Sequence, residues 1–266
     1  MKDDDVSQEC KNLISSLPAS DKDYTGKKLY NYQGFWFYPN TIQAILNFQK
    51  HFRARDSDII LASLPKSGTT WLKALVFAVV HRNKYAPNLV SHPLLSDNPH
   101  NLELPSPRIF ATHVPFQKLP ESLIDSPCKV VYVCRNIKDV LDMINEYIKG
   151  AYFCGPIEEQ VLSYWKESLV NSNLVLFMRY EEMIENPVAQ VMRLADFLGC
   201  SFSEEEKQSS NLEANKIGTS TCGIAHHAFF RKGGVGDWKN HLTDEMARKI
   251  NEMVEKKLEG SGLKFD

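Results

Sequence analysis

Residues 58–80 read DIILASLPKSGTTWLKALVFAVV, and the fold follows from that run. Ile59, Ile60, Leu61 and Ala62 form a short apolar block of the kind a strand buried on both faces requires. Pro65-Lys66-Ser67-Gly68-Thr69-Thr70-Trp71 follows, and then Leu72, Leu75, Val76, Val79 and Val80 recur at helical spacing. The stretch is therefore strand, tight loop, helix. A glycine-bearing loop at a helix start offers backbone N–H groups to an anion, and the helix dipole favours negative charge there. Lys66 adds a positive charge, and Ser67, Thr69 and Thr70 add hydroxyl donors, so the expected ligand is a phosphate or sulfate group. The loop is not a Walker A motif, because Lys66 precedes the glycine instead of following a second one.

The rest of the chain bounds what such a loop can serve. A length of 266 residues suits one large domain or two small ones, and 43% hydrophobic with 24% charged is an ordinary soluble globular composition. A net charge of −2 gives no global attraction to nucleic acid or to a membrane surface, so an anion site has to come from local basic residues. The six cysteines lack CxxC spacing and the eight histidines form no HExxH pattern, which argues against a zinc site and a disulfide scaffold. The acidic start MKDDDVSQEC has no apolar signal core, and no run approaches the ~20 apolar residues of a membrane span. A cytoplasmic chain with reduced thiols is expected.

Working outward, Val6 to Ile14 reads as a short amphipathic helix, and Tyr30 to Tyr38 crowds aromatics that either pack on the core or line a flat apolar acceptor. Asn40 or Thr41 is placed to cap a helix through Phe52. Residues 82–107 are loop-rich. Arg108 to Ala111 resumes a strand ending at Thr112-His113, and Lys129 to Cys134 is a buried strand ending at Arg135-Asn136. The spacing predicts a helix over 157–169 with Val161, Leu162, Trp165 and Leu169 inward, a strand over 174–178, and helices over 187–198 and 243–258. Strands alternating with helices imply an α/β fold: a central, mostly parallel sheet flanked by helices, residues 1–266 forming a single domain. Lys66, His113 and Arg135 each follow the carboxyl end of a strand, which puts them along one sheet edge, where α/β folds bind ligands. A second glycine-rich basic stretch, Arg231-Lys232-Gly233-Gly234-Val235-Gly236-Asp237-Trp238, suits close approach to an anion or a surface hairpin.

Taken together these motifs resemble the soluble sulfotransferases that use 3′-phosphoadenosine 5′-phosphosulfate (PAPS). The loop 65–71 is similar to their 5′-phosphosulfate loop, Thr112-His113 to their catalytic histidine motif, and Val133 to Asp139 to the strand end that holds the 3′-phosphate. Arg179-Tyr180-Glu181-Glu182-Met183 resembles the segment supplying a tyrosine near adenine, and Arg231-Lys232-Gly233 with Gly236-Asp237-Trp238-Lys239 the C-terminal clamp on the 3′-phosphate. The phrases NPHNL, LPSPR, SNLEANK and GSGLKF look most like the plant branch, whose members sulfate flavonoids, hydroxyjasmonates, brassinosteroids or desulfoglucosinolates. The chain departs from the pattern in three loop-like places: no serine follows Arg135 before Ser163, and the stretches at 102–104 and before Ser209 are short. Family shape therefore implies absent segments there. The C-terminal dimer motif of animal members is not recognisable, which leaves a monomer or weak homodimer.

The resemblance implies His113 as general base and Lys66 as the charge that neutralises the leaving 5′-phosphate. Ser67, Gly68, Thr69 and Thr70 would hold that phosphate, Trp71 and Tyr180 the adenine, and Arg135, Arg231, Lys232 and Gly233 the 3′-phosphate. PAPS is the co-substrate, a small-molecule hydroxyl the acceptor, and no metal is required. Two rivals are a P-loop kinase-like phosphotransferase, which the loop spacing disfavours, and a catalytically silent nucleotide-binding protein, which the retention of Lys66 and His113 disfavours.

Overall fold

The structure is a computed structural model and describes residues 6–23, 26–84, 106–140, 147–206 and 235–265. Helix α1 (Gln8–Ser15) starts at Ser7, whose side chain accepts from the Cys10 N–H. Strands β1 (Ala19–Lys22), β2 (Lys28–Tyr32) and β3 (Phe35–Phe37) form a small antiparallel sheet. Gln33 and Gly34 both take positive φ (51° and 92°) between the paired residues Tyr32 and Phe35. That is the geometry a two-residue hairpin requires to match strand twist. Helix α2 (Pro39–His51) opens on Pro39 in its first turn, not on a side-chain cap from Asn40 or Thr41 as the sequence predicts. Proline fits there because its φ is already helical and its missing N–H has no intrahelical partner to lose.

The main sheet contains β4 (Ile59–Ser63), β5 (Ile109–Thr112), β6 (Lys129–Cys134) and β7 (Val175–Arg179), in the order β5-β4-β6-β7. All three pairings are parallel. The connecting helices are α3 (Thr69–His81), α4 (Glu121–Ile124), α5 (Ile137–Val140), α6 (Ile157–Val170), α7 (Tyr180–Glu185), α8 (Pro187–Phe197) and α9 (Asp244–Leu258). Period-two alternation sends Ile60, Ala62, Val130, Tyr132, Cys134 and Phe177 into a core shared with α6 and α9. Ile59, Leu61, Val131, Val133, Leu176 and Met178 pack on the other face against α3, α7 and α8. Both faces are covered, which is why these strands read as unbroken apolar runs.

Helix α6 departs from its expected face. Val161 is buried and Leu162 and Trp165 are partly so, but Leu169 is 63% exposed. Gln160, Ser163 and Tyr164 turn inward in its place. The reason is tertiary: their polar groups meet the backbone that follows β5. Trp165 packs edge-on against Phe177 and donates to the Ser261 carbonyl (2.8 Å), so it joins the core to the C-terminal segment. The chain passes from β4 out to β5, then back across β4 to β6. Strand order therefore reverses around β4, and the carboxyl ends of β4, β5 and β6 frame the crevice where open α/β sheets bind ligands.

Candidate active site

The loop after β4 is a backbone cradle. Lys66 and Gly68 both adopt positive φ (66° and 95°), with Ser67 between them donating its N–H to the Leu64 carbonyl (3.2 Å). Alternating left-handed residues turn successive amides toward one side, and α3 begins there with first-turn N–H groups that have no intrahelical acceptor. The Ser67 hydroxyl is buried with no hydrogen-bond partner among the described residues. An orphaned donor at an amide-lined helix start fits a phosphate oxygen, so the residues present fit the phosphosulfate group. Lys66 is exposed at the loop tip, and Ser63 and Thr69 hydroxyls bond across the loop base at 2.5 Å.

His113 sits one residue beyond β5, level with the end of β4. Its Nδ1 lies 2.7 Å from the Ser63 carbonyl oxygen, the residue that opens the same loop. A carbonyl only accepts, so Nδ1 carries the proton and Nε2 is left with the basic lone pair. Three side chains of α6 hold the segment that carries the histidine. Gln160 Nε2 donates to the His113 carbonyl (2.9 Å), the Tyr164 hydroxyl donates to the Val114 carbonyl (2.6 Å), and Ser163 Oγ accepts from the Phe116 N–H (3.3 Å). The sequence did not reveal these residues as site supports, because an inward Gln and Ser look like surface positions until their partners are known.

The end of β6 brings the third group. The Arg135 guanidinium lies over the Tyr180 ring at 4.7 Å, and Tyr180 meets Trp71 edge-on at 6.2 Å between centroids. Tyr180 also stands over the loop: a Cβ on Gly68 would lie 3.6 Å from its ring. Trp71, Gly68, Arg135 and Tyr180 thus form one wall beside the phosphate cradle. Burial pushes the Tyr180 phenol above its ordinary range, which keeps it neutral, although Arg135 pulls the other way. Asn136 begins α5: its side chain accepts from the Lys138 N–H (3.0 Å), while its own N–H donates to Glu181 (2.8 Å). Glu181, which the sequence offers only as a neighbour of Tyr180 in its segment, ties the β6 end to the β7 end. Arg231, Lys232 and Gly233 lie outside the described residues, as do residues 102–104, Ser209 and the stretch that follows Val140.

The residue after His113 is packed on the N-terminal sheet. Val114 packs in a cluster with Phe35, Phe37, Tyr32 and Cys154, against which Tyr30, Leu46 and Phe153 are half-buried. Of the aromatic run, Tyr32, Phe35 and Phe37 are core, whereas Tyr30, Trp36 and Tyr38 keep part of their surface exposed. The Tyr38 and Phe153 rings pack at a tilt, with centroids 5.1 Å apart.

The sulfotransferase-domain family profile matches residues 56–141 and 142–262. The chain belongs to the sulfotransferase family. It is a PAPS-dependent sulfotransferase by class, with the central parallel sheet and phosphate-binding loop of that fold. The match breaks between residues 141 and 142, where the sequence lacks the expected serine segment. Cytosolic sulfotransferase 4 of Arabidopsis thaliana is 53% identical over 265 residues, covering 100% of this chain and 97% of its own length. Cytosolic sulfotransferase 11 of the same plant is 50% identical, with 100% and 90% covered, but that alignment runs over 319 positions. The first relative therefore shares the short form, whereas the second carries extra segments. Among solved structures, an Arabidopsis thaliana putative steroid sulphotransferase superposes with a TM-score of 0.76 at 36% identity, covering 98% of both chains. A mouse sulfotransferase complexed with PAP gives 0.62 at 28% identity, covering 88% of this chain and 95% of its own.

Proposed function

We propose that this enzyme works in the cytosol as one domain, moving the sulfonate of PAPS to a hydroxyl of a small hydrophobic acceptor, a flavonoid-type phenol or a plant hormone. The observation that carries the reading is the Nδ1 contact of His113 with Ser63, which leaves a basic Nε2 beside a phosphate cradle built from the same strand end. Nε2 takes the acceptor's hydroxyl proton as the oxygen attacks sulfur. Lys66 and the first-turn amides of α3 stabilise the charge that gathers on the departing 5′-phosphate. Trp71 and Tyr180 hold the adenine, and Arg135, Arg231 and Lys232 read the 3′-phosphate, with Gly233 allowing close backbone approach. The half-buried Tyr30, Tyr38 and Phe153 supply aromatic surface near the histidine segment, suited to a flat apolar acceptor.

The test is a panel assay with sulfur-labelled PAPS against flavonols, hydroxyjasmonates, brassinosteroids and desulfoglucosinolates. Labelled product with one class names the acceptor. His113→Ala should lower turnover by about 10²- to 10⁴-fold while PAP binding stays intact. A variant that retains wild-type turnover removes His113 from the chemistry.

A further inference from the structure

The Asp139 carboxylate is fully buried, and both of its oxygens are engaged by backbone from the far end of the chain. Oδ2 accepts from the Gly236 N–H (2.9 Å) and Oδ1 from the Trp238 N–H (3.0 Å). Oδ2 also approaches Arg135 Nη2 at 3.5 Å. A second contact ties the same pieces together: the Lys138 ammonium lies 4.4 Å from the centre of the Trp238 ring. Gly236 holds φ at +85° and opens the 3-10 turn Asp237–Asn240, so its amide is delivered by a conformation that glycine favours.

A buried carboxylate needs compensation, and two amides plus an arginine supply it. The arrangement does more than neutralise charge. Arg135 is bracketed by Asp139 on one side and the Tyr180 ring on the other. Its approach to Asp139 is through Nη2, at the Oδ2 oxygen that also accepts from Gly236. The turn docked on Asp139 begins at Gly236, with two residues between it and Arg231-Lys232-Gly233 in the sequence. One carboxylate thus sets Arg135 and the start of the C-terminal turn in a common frame.

We propose that Asp139 is a positioning residue for recognition of the nucleotide's 3′-phosphate, coupling the C-terminal turn to Arg135. The inference rests on the proposed reading of Arg135 as a 3′-phosphate ligand. It predicts a selective effect: losing the clamp weakens a nucleotide that has a 3′-phosphate and spares one that lacks it. Asp139→Asn is the informative change, since it keeps shape but turns one acceptor into a donor facing a backbone N–H.

The experiment is calorimetric titration of wild type and Asp139→Asn with PAP and with 5′-AMP, which lacks the 3′-phosphate. The dissociation constant for PAP should rise about tenfold or more and that for 5′-AMP should stay within about twofold. Equal losses for both nucleotides, or none for either, overturn the proposal. A wild-type measurement keeps it testable should the variant fail to fold. PAP should slow hydrogen exchange at the amides of Gly236 and Trp238, and 5′-AMP should not; no slowing with PAP overturns it. Failure of the underlying reading looks different. Wild type would then show no preference for PAP over 5′-AMP, and Arg135→Ala would not change that ratio, which sinks both together.

Discussion

At the scale of single residues, the phosphate loop is shaped by two backbone conformations that cost differently. Gly68 has φ +95° and glycine adopts it without strain; Lys66 has φ +66° and a side chain that makes such a conformation cost ~1–2 kcal/mol. The sequence displayed the lysine, the hydroxyls and the glycine, but not that Lys66 is strained, since nothing in the letters distinguishes a strained lysine from a relaxed one. The strain separates two substitutions. Lys66→Ala and Lys66→Gly should lose the same turnover, about 10²-fold or more, because both remove the charge proposed to stabilise the leaving phosphate. Lys66→Gly should nonetheless be the more stable of the two by ~1 kcal/mol, read as a higher midpoint in denaturant unfolding. Equal midpoints would mean that the loop relaxes once the side chain is gone. Gly68→Ala probes the converse. Its Cβ has ordinary room, 3.6 Å from the Tyr180 ring, so the penalty lies in φ alone. A loss of ~1–2 kcal/mol with weaker PAP binding is expected from unfolding curves and titration.

At the scale of elements, the segment that carries His113 depends on a helix whose inner face the sequence hid. The strands were legible because buried parallel strands have no polar alternation to disguise them, and their ends were legible because Lys66, His113 and Arg135 stand at the point where apolar runs stop. Helix α6 was misjudged on one side for the opposite reason. Its polar residues Gln160 and Ser163 are buried only because the segment His113–Phe116 presents backbone groups to them, and that pairing spans 47 residues of chain. The small N-terminal sheet was equally hard to read, since crowded aromatics suit a strand, a core edge and a pocket alike. The clamp makes a specific prediction. Gln160→Leu keeps the volume but leaves the His113 carbonyl without its 2.9 Å donor. Turnover should fall about tenfold and stability by ~1–3 kcal/mol, while PAP affinity stays within about twofold, because Gln160 donates to the His113 carbonyl and not to the loop after β4. Steady-state kinetics beside calorimetric titration checks it; a parallel loss of PAP affinity would mean that α6 supports the whole sheet edge and not the histidine segment.

At the scale of the whole molecule, the order β5-β4-β6-β7 was the part that no local pattern contained, because strand order is set by which crossovers bury the most apolar surface together. The far end of α3 carries proton-linked contacts of its own, and global stability should report them. His81, in the last turn of α3, is buried beside Phe77, with ring centroids 4.6 Å apart, and its pKa is lowered by burial first and by the Lys84 charge second. A histidine depressed in the fold gives stability that is complete above its unfolded value of about 6.5 and is lost as pH falls below it toward the folded value. Next to it, Arg82 binds Glu206 at 2.9 Å, and Glu206 closes a reciprocal cap with Ser203 (2.7 and 3.2 Å). The Glu206 carboxyl is held below its usual range by the Arg82 hydrogen bond first, so its share is present above about 4.5, the ordinary range of a glutamate, and fades as pH falls through the folded value. Glu206 is partly exposed, so its share is the smaller one. The two groups should therefore let go in sequence on acidification, the histidine before the carboxylate. Scanning calorimetry from pH 8 to pH 4 should show the melting temperature of wild type falling from just below pH 6.5. In His81→Gln, which has nothing to protonate, the decline above pH 5 should flatten, and the steeper loss below pH 5 should remain. An identical slope above pH 5 in the two proteins would place the proton uptake elsewhere and remove His81 as an anchor.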